Sequence, residues 1–220
     1  MTLTVVKCGG AALARGPFVL ERFVDDGESA CVVHGAGGRI SAALGRAGIE
    51  SHFVGGRRVT SEEALPIVRE AFRQENAELC RQIGGRAHGV MGDDLGLEAD
   101  LLPGFGRVGM LRPVVPPSLW DLLKADGVPV IAPLARGPLN VNADDAAAIL
   151  AIALSADRLV FVSDVPGVLV DGEVVPRLSA QDVAGLNGAL SGGILPKLEA
   201  ALAAARQGVR AEVGATLVVA

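Results

Sequence analysis

The chain predicts an α/β sandwich on a mostly parallel sheet. Short β-branched apolar runs alternate with stretches of helical periodicity along most of the 220 residues. Several of those runs are continuous rather than alternating, which suits strands covered on both faces. The 29 glycines fall singly or in pairs between the runs, as turns do.

Residues 2–6, 30–33, 87–90, 128–132, 159–162 and 216–219 read as buried strands. Residues 39–47 read as a helix with Ile40, Ala43, Leu44 and Ala47 on one face. Thr60-Ser61-Glu62-Glu63 is a capping-box pattern and opens a helix that runs through Phe72 or further. Helices over 118–124, 144–154 and 196–207 follow, the last stopped by Gly208. Residues 98–117 are crowded with Gly and Pro and predict a hairpin or loop excursion. A lobe boundary is expected at 123–127, dividing the chain into 1–125 and 126–220. The Asp171-Gly172 turn between β-formers predicts a second hairpin over 168–175. There is no internal repeat.

Half of the chain is hydrophobic but only 3% is aromatic, so the core must be Ala, Val, Leu and Ile. This length suits one large domain or two lobes sharing an interface. A net charge of −5 without a basic tail argues against nucleic acid as a partner. The opening run is too short and strand-like for a secretory segment, and the longest apolar run, 146–154, is far below membrane-spanning length. A cytoplasmic protein is expected. Cys8, Cys31 and Cys80 are odd in number and widely spaced, which reads as free thiols used as small buried hydrophobes.

The chemistry sits at strand ends. Lys7 closes the first strand ahead of Gly9-Gly10, where an α/β sheet places its ligands. Alone, a surface lysine beside a turn is the plainer reading. His34-Gly35-Ala36-Gly37-Gly38 repeats the design and leads into a helix N-terminus, an anion site by construction. It is not a dinucleotide fingerprint, because Ile40 holds the third glycine position, and no Gly-Lys-Ser/Thr occurs. His34 itself reads as a capping or packing residue. Arg57-Arg58 follows a glycine pair; it is either a carboxylate-binding fork or a solvated pair. Asn140, Asn142 and Asp144 share one face if the extended geometry persists, and Asn142 is also placed to cap the next helix. Residues 163–169 form a polar turn after the strongest strand. Gly192-Gly193 and Pro196 precede Lys197 in a helix's first turn, where lysine and helix field both favour an anion.

Taken together and in order, these pieces resemble the amino-acid kinase family over essentially the whole chain. They run from Lys7-Cys8-Gly9-Gly10 through His34-Gly35-Ala36-Gly37, Gly56-Arg57-Arg58-Val59-Thr60 and Gly106-Arg107-Val108-Gly109. Asn140-Val141-Asn142-Ala143-Asp144, Ser163-Asp164-Val165-Pro166-Gly167-Val168-Leu169 and Gly193-Ile194-Leu195-Pro196-Lys197 complete the set. The resemblance implies a three-layer αβα sandwich, with 1–125 binding an N-acyl amino acid and forming a dimer, and 126–220 binding ATP. It implies ATP- and Mg²⁺-dependent phosphorylation of the γ-carboxylate of N-acetyl-L-glutamate, in arginine biosynthesis. Lys7 and Lys197 would contact the transferring phosphoryl group from opposite sides, with Asp144 organising them. Gly35, Ala36, Arg58, Asn140 and Asn142 would bind the substrate. Gly9, Gly10, Gly37, Gly193, Asp164, Val165, Pro166, Gly167, Val168, Leu169, Ala189, Leu190 and Ser191 would bind nucleotide and phosphate, and no side chain would ligate metal.

The sequence departs from the family pattern in places. Ala36 stands where a glycine is usual, and Arg57 where an apolar residue is usual. The tail after Lys197 is short and no helix precedes the first strand, which predicts an arginine-insensitive homodimer. Arg57 and Ala36 also keep open a kinase for substrate carried on an acidic carrier protein, and the short tail and Ala36 keep open a non-catalytic nucleotide or amino-acid sensor.

Overall fold

The computed structural model describes residues 2–9, 29–162, 165–186 and 193–220. Its strands are β1 (Leu3–Cys8), β2 (Ser29–His34), β3 (Phe53–Val54), β4 (Arg57–Arg58), β5 (Ala87–Met91), β6 (Ala99–Leu101), β7 (Val108–Leu111) and β8 (Val128–Ala132). They continue as β9 (Leu134–Ala135), β10 (Leu139–Val141), β11 (Arg158–Val162), β12 (Leu169–Val170), β13 (Glu173–Val174), β14 (Arg177–Ser179), β15 (Arg210–Val213) and β16 (Thr216–Val219). The helices are α1 (Gly37–Arg46), α2 (Ala64–Ile83), α3 (Gly92–Leu95), α4 (Pro117–Lys124), α5 (Ala143–Ala153), α6 (Ala180–Gly185) and α7 (Ile194–Arg206).

The main sheet runs β14-β16-β15-β11-β1-β2-β8-β5. The six strands from β15 to β5 are mutually parallel, and β16 turns antiparallel to β15. The continuous apolar runs have the predicted consequence. Val5, Val33, Ile131 and Phe161 face one layer with α5 and α7. Val6, Val32, Val130 and Val160 face the other with Leu79 of α2. Alternation along each strand thus feeds two apolar layers, and the molecule is a three-layer αβα sandwich. The 1–125 and 126–220 halves share this sheet, since β8 lies between β2 and β5.

The 98–117 excursion is the β6–β7 hairpin, which joins β10 and β9 in a second sheet. The 168–175 hairpin forms as β12–β13, with Asp171 and Gly172 at φ 51 and 85 in its two-residue turn. Three expectations change. β5 is an edge strand and half exposed, not buried. The α2 cap is Ser61, whose Oγ accepts from Ala64 N at 3.1 Å, and not Thr60, which is buried elsewhere. The tail holds an additional strand, β15, whose Arg210 and Glu212 hide it from an apolar scan. Glu212 lies between Arg158 and Arg210, at 2.9 and 2.6 Å, and so offsets the two arginines that the register places side by side. No helix among the described residues is long and apolar enough to cross a membrane.

Candidate active site

Lys7 lies near the C-terminal end of β1, flanked by Val33 of β2 and Phe161 of β11, and is buried. Asp144 comes to it from the first turn of α5. Asn142 caps that helix, its Oδ1 accepting from Asp144 N at 2.8 Å and Asp145 N at 3.1 Å. The Lys7 ammonium stands 2.8 Å from Asp144 Oδ1. The contact is ionic rather than an aligned hydrogen bond, since Oδ1 has no donor in line with it. Asn142 thus caps α5 as expected, and its Nδ2 donates to Gly56 O at 3.3 Å.

The glycine turn after β2 sits beside this pair. Gly35 N–H donates to Cys8 O at 2.9 Å and so closes the turn. The first turn of α1, whose leading amides have no acceptor within the helix, borders the cleft through Gly37, Gly38 and Arg39. Ala36 has φ −138, where an L-residue is unstrained. It is 2% exposed and joins the apolar cluster of Ile40, Leu44, Val68 and Phe72, which explains how alanine replaces glycine here. His34 beneath the turn accepts from Asn76 Nδ2 at 3.0 Å, and Asn76 also donates to Val130 O at 2.7 Å. Burial pushes the His34 imidazole down to about 4, so it is neutral at physiological pH. Burial lifts the Cys8 and Cys31 thiols to about 12, which makes them inert packing groups.

Arg58 is held from three sides. It donates to Ser51 Oγ at 2.5 Å, Ser41 Oγ at 2.9 Å and Gly37 O at 3.2 Å, with its guanidinium 4.5 Å above the Phe53 ring. Asn140 Nδ2 donates to Thr60 Oγ1 at 3.0 Å, and Thr60 in turn to Arg58 O at 3.1 Å. Ser41, Ser51 and Asn76 belong to no motif in the sequence. Lone hydroxyls and amides carry no signal until the chain brings them to a partner. The Gly106 motif is explained by close approach. Gly106 has φ +69, and a Cβ there would lie 2.3 Å from Thr60 O.

A cleft of about 1060 Å³ joins these groups. Lys7, Gly9, Gly35, Ala36, Gly37, Arg58, Asn140, Asn142 and Asp144 all line it. Lys197 does not; its Nζ donates to Gly193 O at 3.0 Å at the head of α7. That head adjoins the cleft's rim, because a Cβ on Gly56 would meet Pro196 Cγ at 2.5 Å. Residues 165–169 stand apart on the β15–β16 turn, where Pro166 O accepts from Ala215 N at 2.7 Å and Val168 N donates to Thr216 Oγ1 at 2.8 Å. Val168 is fully buried, so it supports that loop rather than contacting a nucleotide, a correction to its expected role. Gly10, Asp164, Ala189, Leu190 and Ser191 lie outside the described residues.

The donor set fits a phosphate: one buried lysine, a helix N-terminus and open glycines. A Cβ on Gly9 would come 3.8 Å from Lys7 Nζ. Among the described residues no group of three or more His, Cys, Asp or Glu is placed to hold a metal ion.

A mostly parallel sheet between two helical layers, with a cleft at its strand ends, defines the fold class. Residues 2–214 match the model of the amino acid kinase family, and the chain belongs to it. Among particular relatives, the acetylglutamate kinase of Rubrobacter xylanophilus is 42% identical over 224 residues, covering 97% of this chain and 88% of that protein. The acetylglutamate kinase of Chloroflexus aurantiacus is 44% identical over 193 residues, covering 80% and 76%. The crystal structure of smu.665 from Streptococcus mutans matches with a TM-score of 0.87 at 26% identity, over 99% of this chain and 98% of that one. Neisseria gonorrhoeae N-acetylglutamate synthase shares the fold, with a TM-score of 0.77 at 23% identity over 99% and 61%.

Proposed function

We propose that this protein transfers the γ-phosphoryl group of ATP to the γ-carboxylate of N-acetyl-L-glutamate, a step of arginine biosynthesis. The observation that carries the reading is the buried Lys7–Asp144 pair at the floor of a cleft that Arg58 also lines. The relatives named above point to the same acceptor.

The chemistry is hindered by like charge, because an anionic carboxylate must attack an anionic phosphate. Lys7 and the α1 amides lower that repulsion and stabilise the charge of the transition state. An acceptor oxygen bonds to the γ-phosphorus as the β–γ bridging P–O bond breaks, giving an acyl phosphate and ADP. Lys197 meets the same phosphoryl group from the α7 side, with that helix's N-terminal field behind it. Asp144 orients Lys7. Arg58 and Asn140 hold the acceptor's carboxylates, and 165–169 with Gly193 belong to the nucleotide side. Mg²⁺ would arrive on the phosphates and add neutralising charge.

The carrier-protein reading loses its motive, since Arg57 is already paired with Asp145 at 2.8 Å. A homodimer is supported by the half-exposed β5 edge and the groove of about 860 Å³ beside it, which Cys80, Met91 and Leu122 line. We place the enzyme in the cytoplasm, where its three free thiols are stable. Hydroxamate trapping of the acyl phosphate tests the function. ATP-dependent product from free N-acetyl-L-glutamate is expected; product only from a carrier-bound substrate, or none from any N-acyl amino acid, rejects it.

A further inference from the structure

The β3–β4 hairpin crosses from the first half of the chain to the second. Its strands are two residues long, and Gly55 and Gly56 turn it at φ 53 and 74. Such a ribbon is marginal by itself. Apolar burial does not hold it either, because Phe53 and Val54 are 56% and 55% exposed. Polar tethers must therefore set its position.

Adjacent residues of a strand point to opposite faces, and the two arginines divide accordingly. Arg58 points back to Ser41, Ser51 and Gly37 and anchors the hairpin to α1. Arg57 reaches the other way, to α5. Its Nε lies 2.9 Å from Asp145 Oδ2 and its terminal nitrogen 2.8 Å from the same oxygen, with side-chain exposures of 26% and 17%. Asn142 Nδ2 on Gly56 O and Pro196 against Gly56 place the turn between α5 and α7. Burial raises the Asp145 carboxyl, Arg57 draws it back down, and the carboxylates of Asp144 and Glu199 raise it further. Without Arg57, Asp145 faces two like charges.

We infer that Arg57 and Asp145 form a latch that holds the hairpin closed over the acceptor end of the cleft. Both are positioning residues that govern how tightly the carboxylate substrate is retained. The kinetic part of this inference rests on the kinase reading; the closure itself does not.

Hydrogen exchange of residues 53–58 in the ligand-free protein tests closure, and the KM values for N-acetyl-L-glutamate and ATP test its consequence. Arg57→Met and Asp145→Asn should each speed exchange of the hairpin roughly tenfold, the effect of losing one partly screened charge-assisted contact. Each should raise the acceptor's KM by a similar factor, with kcat changed less than about threefold and the ATP KM unmoved. The double variant should show the same roughly tenfold effect, not a hundredfold one, because one contact is lost in all three. Arg57→Lys should recover part of both. Unchanged hairpin exchange in both single variants overturns the latch, as do multiplying effects. Faster exchange spread over the whole chain in both variants also overturns it, since the pair is then merely structural. If the wild type leaves N-acetyl-L-glutamate unphosphorylated, the kinase reading fails and the exchange result alone decides the latch.

Discussion

The Lys7 end of the cleft and the 165–169 loop are built by opposite means. At the first, charged and polar side chains from distant segments meet: Lys7 with Asp144, Arg58 with Ser41 and Ser51, Asn140 with Thr60. At the second, the backbone is clamped on the β15–β16 turn by Ala215 N, the Thr216 hydroxyl and glycine contacts too close for a Cβ. Function at one end should therefore answer to charge, and at the other to backbone fit.

The sharpest way to break that contrast is Lys7→Ala. Turnover should fall by roughly 10²–10³, as for loss of one oxyanion-type contact. The variant also leaves Asp144 buried without its partner, which costs about 3–5 kcal/mol of stability. Calorimetry beside the hydroxamate assay separates the two losses. Lys197→Ala should lose turnover to a similar degree. Near-normal turnover in either variant removes that lysine from the site.

Much of the Lys7 end was legible from residue order alone. Lysine, asparagine and aspartate at strand ends are conspicuous among apolar runs, and Asn142-Ala143-Asp144-Asp145 announces a capped helix start. The partners were not legible. Ser41, Ser51 and Asn76 matter only through contacts across many residues, and the Arg57–Asp145 pair joins two motifs that look independent. The 165–169 loop is legible in the sequence as a turn and no more. Its geometry depends on β15 and β16, and β15 carries no continuous apolar run because charged residues alternate along it. Val168 is not free to meet a ligand because burial and hydrogen bonding have already committed it within the fold.

His34 offers a second break in the contrast, at the base of the glycine turn after β2. Its folded value of about 4 lies below the ordinary 6.5. As pH falls below 6.5 the unfolded chain takes up a proton that the native imidazole refuses. Stability therefore drops between pH 6.5 and 4 and levels off below, with a total loss of about 3 kcal/mol from this residue. The difference in unfolding free energy between wild type and His34→Gln across that window isolates it from the titrating carboxylates. Proton NMR showing the ring charged at pH 6 in the native protein would refute the assignment.

On the nucleotide side the largest expected effect comes from a methyl group. Gly214 has φ +56, and a Cβ there would lie 2.5 Å from Pro166 O. Gly214→Ala should destabilise by about 2 kcal/mol through backbone strain and overpacking. It should also raise the KM for ATP more than that for the acceptor. Equal changes in the two KM values would mean that the loop and the acceptor cleft are not separate.

Thr216→Val is the mildest test and the most selective. The hydroxyl accepts from Val168 N at 2.8 Å and donates to Val175 O at 2.7 Å, pinning the 165–169 loop and the β12–β13 hairpin to one buried atom. Valine keeps the shape and leaves Val168 N–H without its acceptor, a loss of about 1–2 kcal/mol. Because the displaced group is backbone of 165–169, the KM for ATP should rise roughly threefold to tenfold while the acceptor's KM holds. Initial-rate kinetics with each substrate varied in turn measure both. A rise in the acceptor's KM alone would show that the tail supports the Lys7 end instead, and the division between a side-chain end and a backbone end would be wrong.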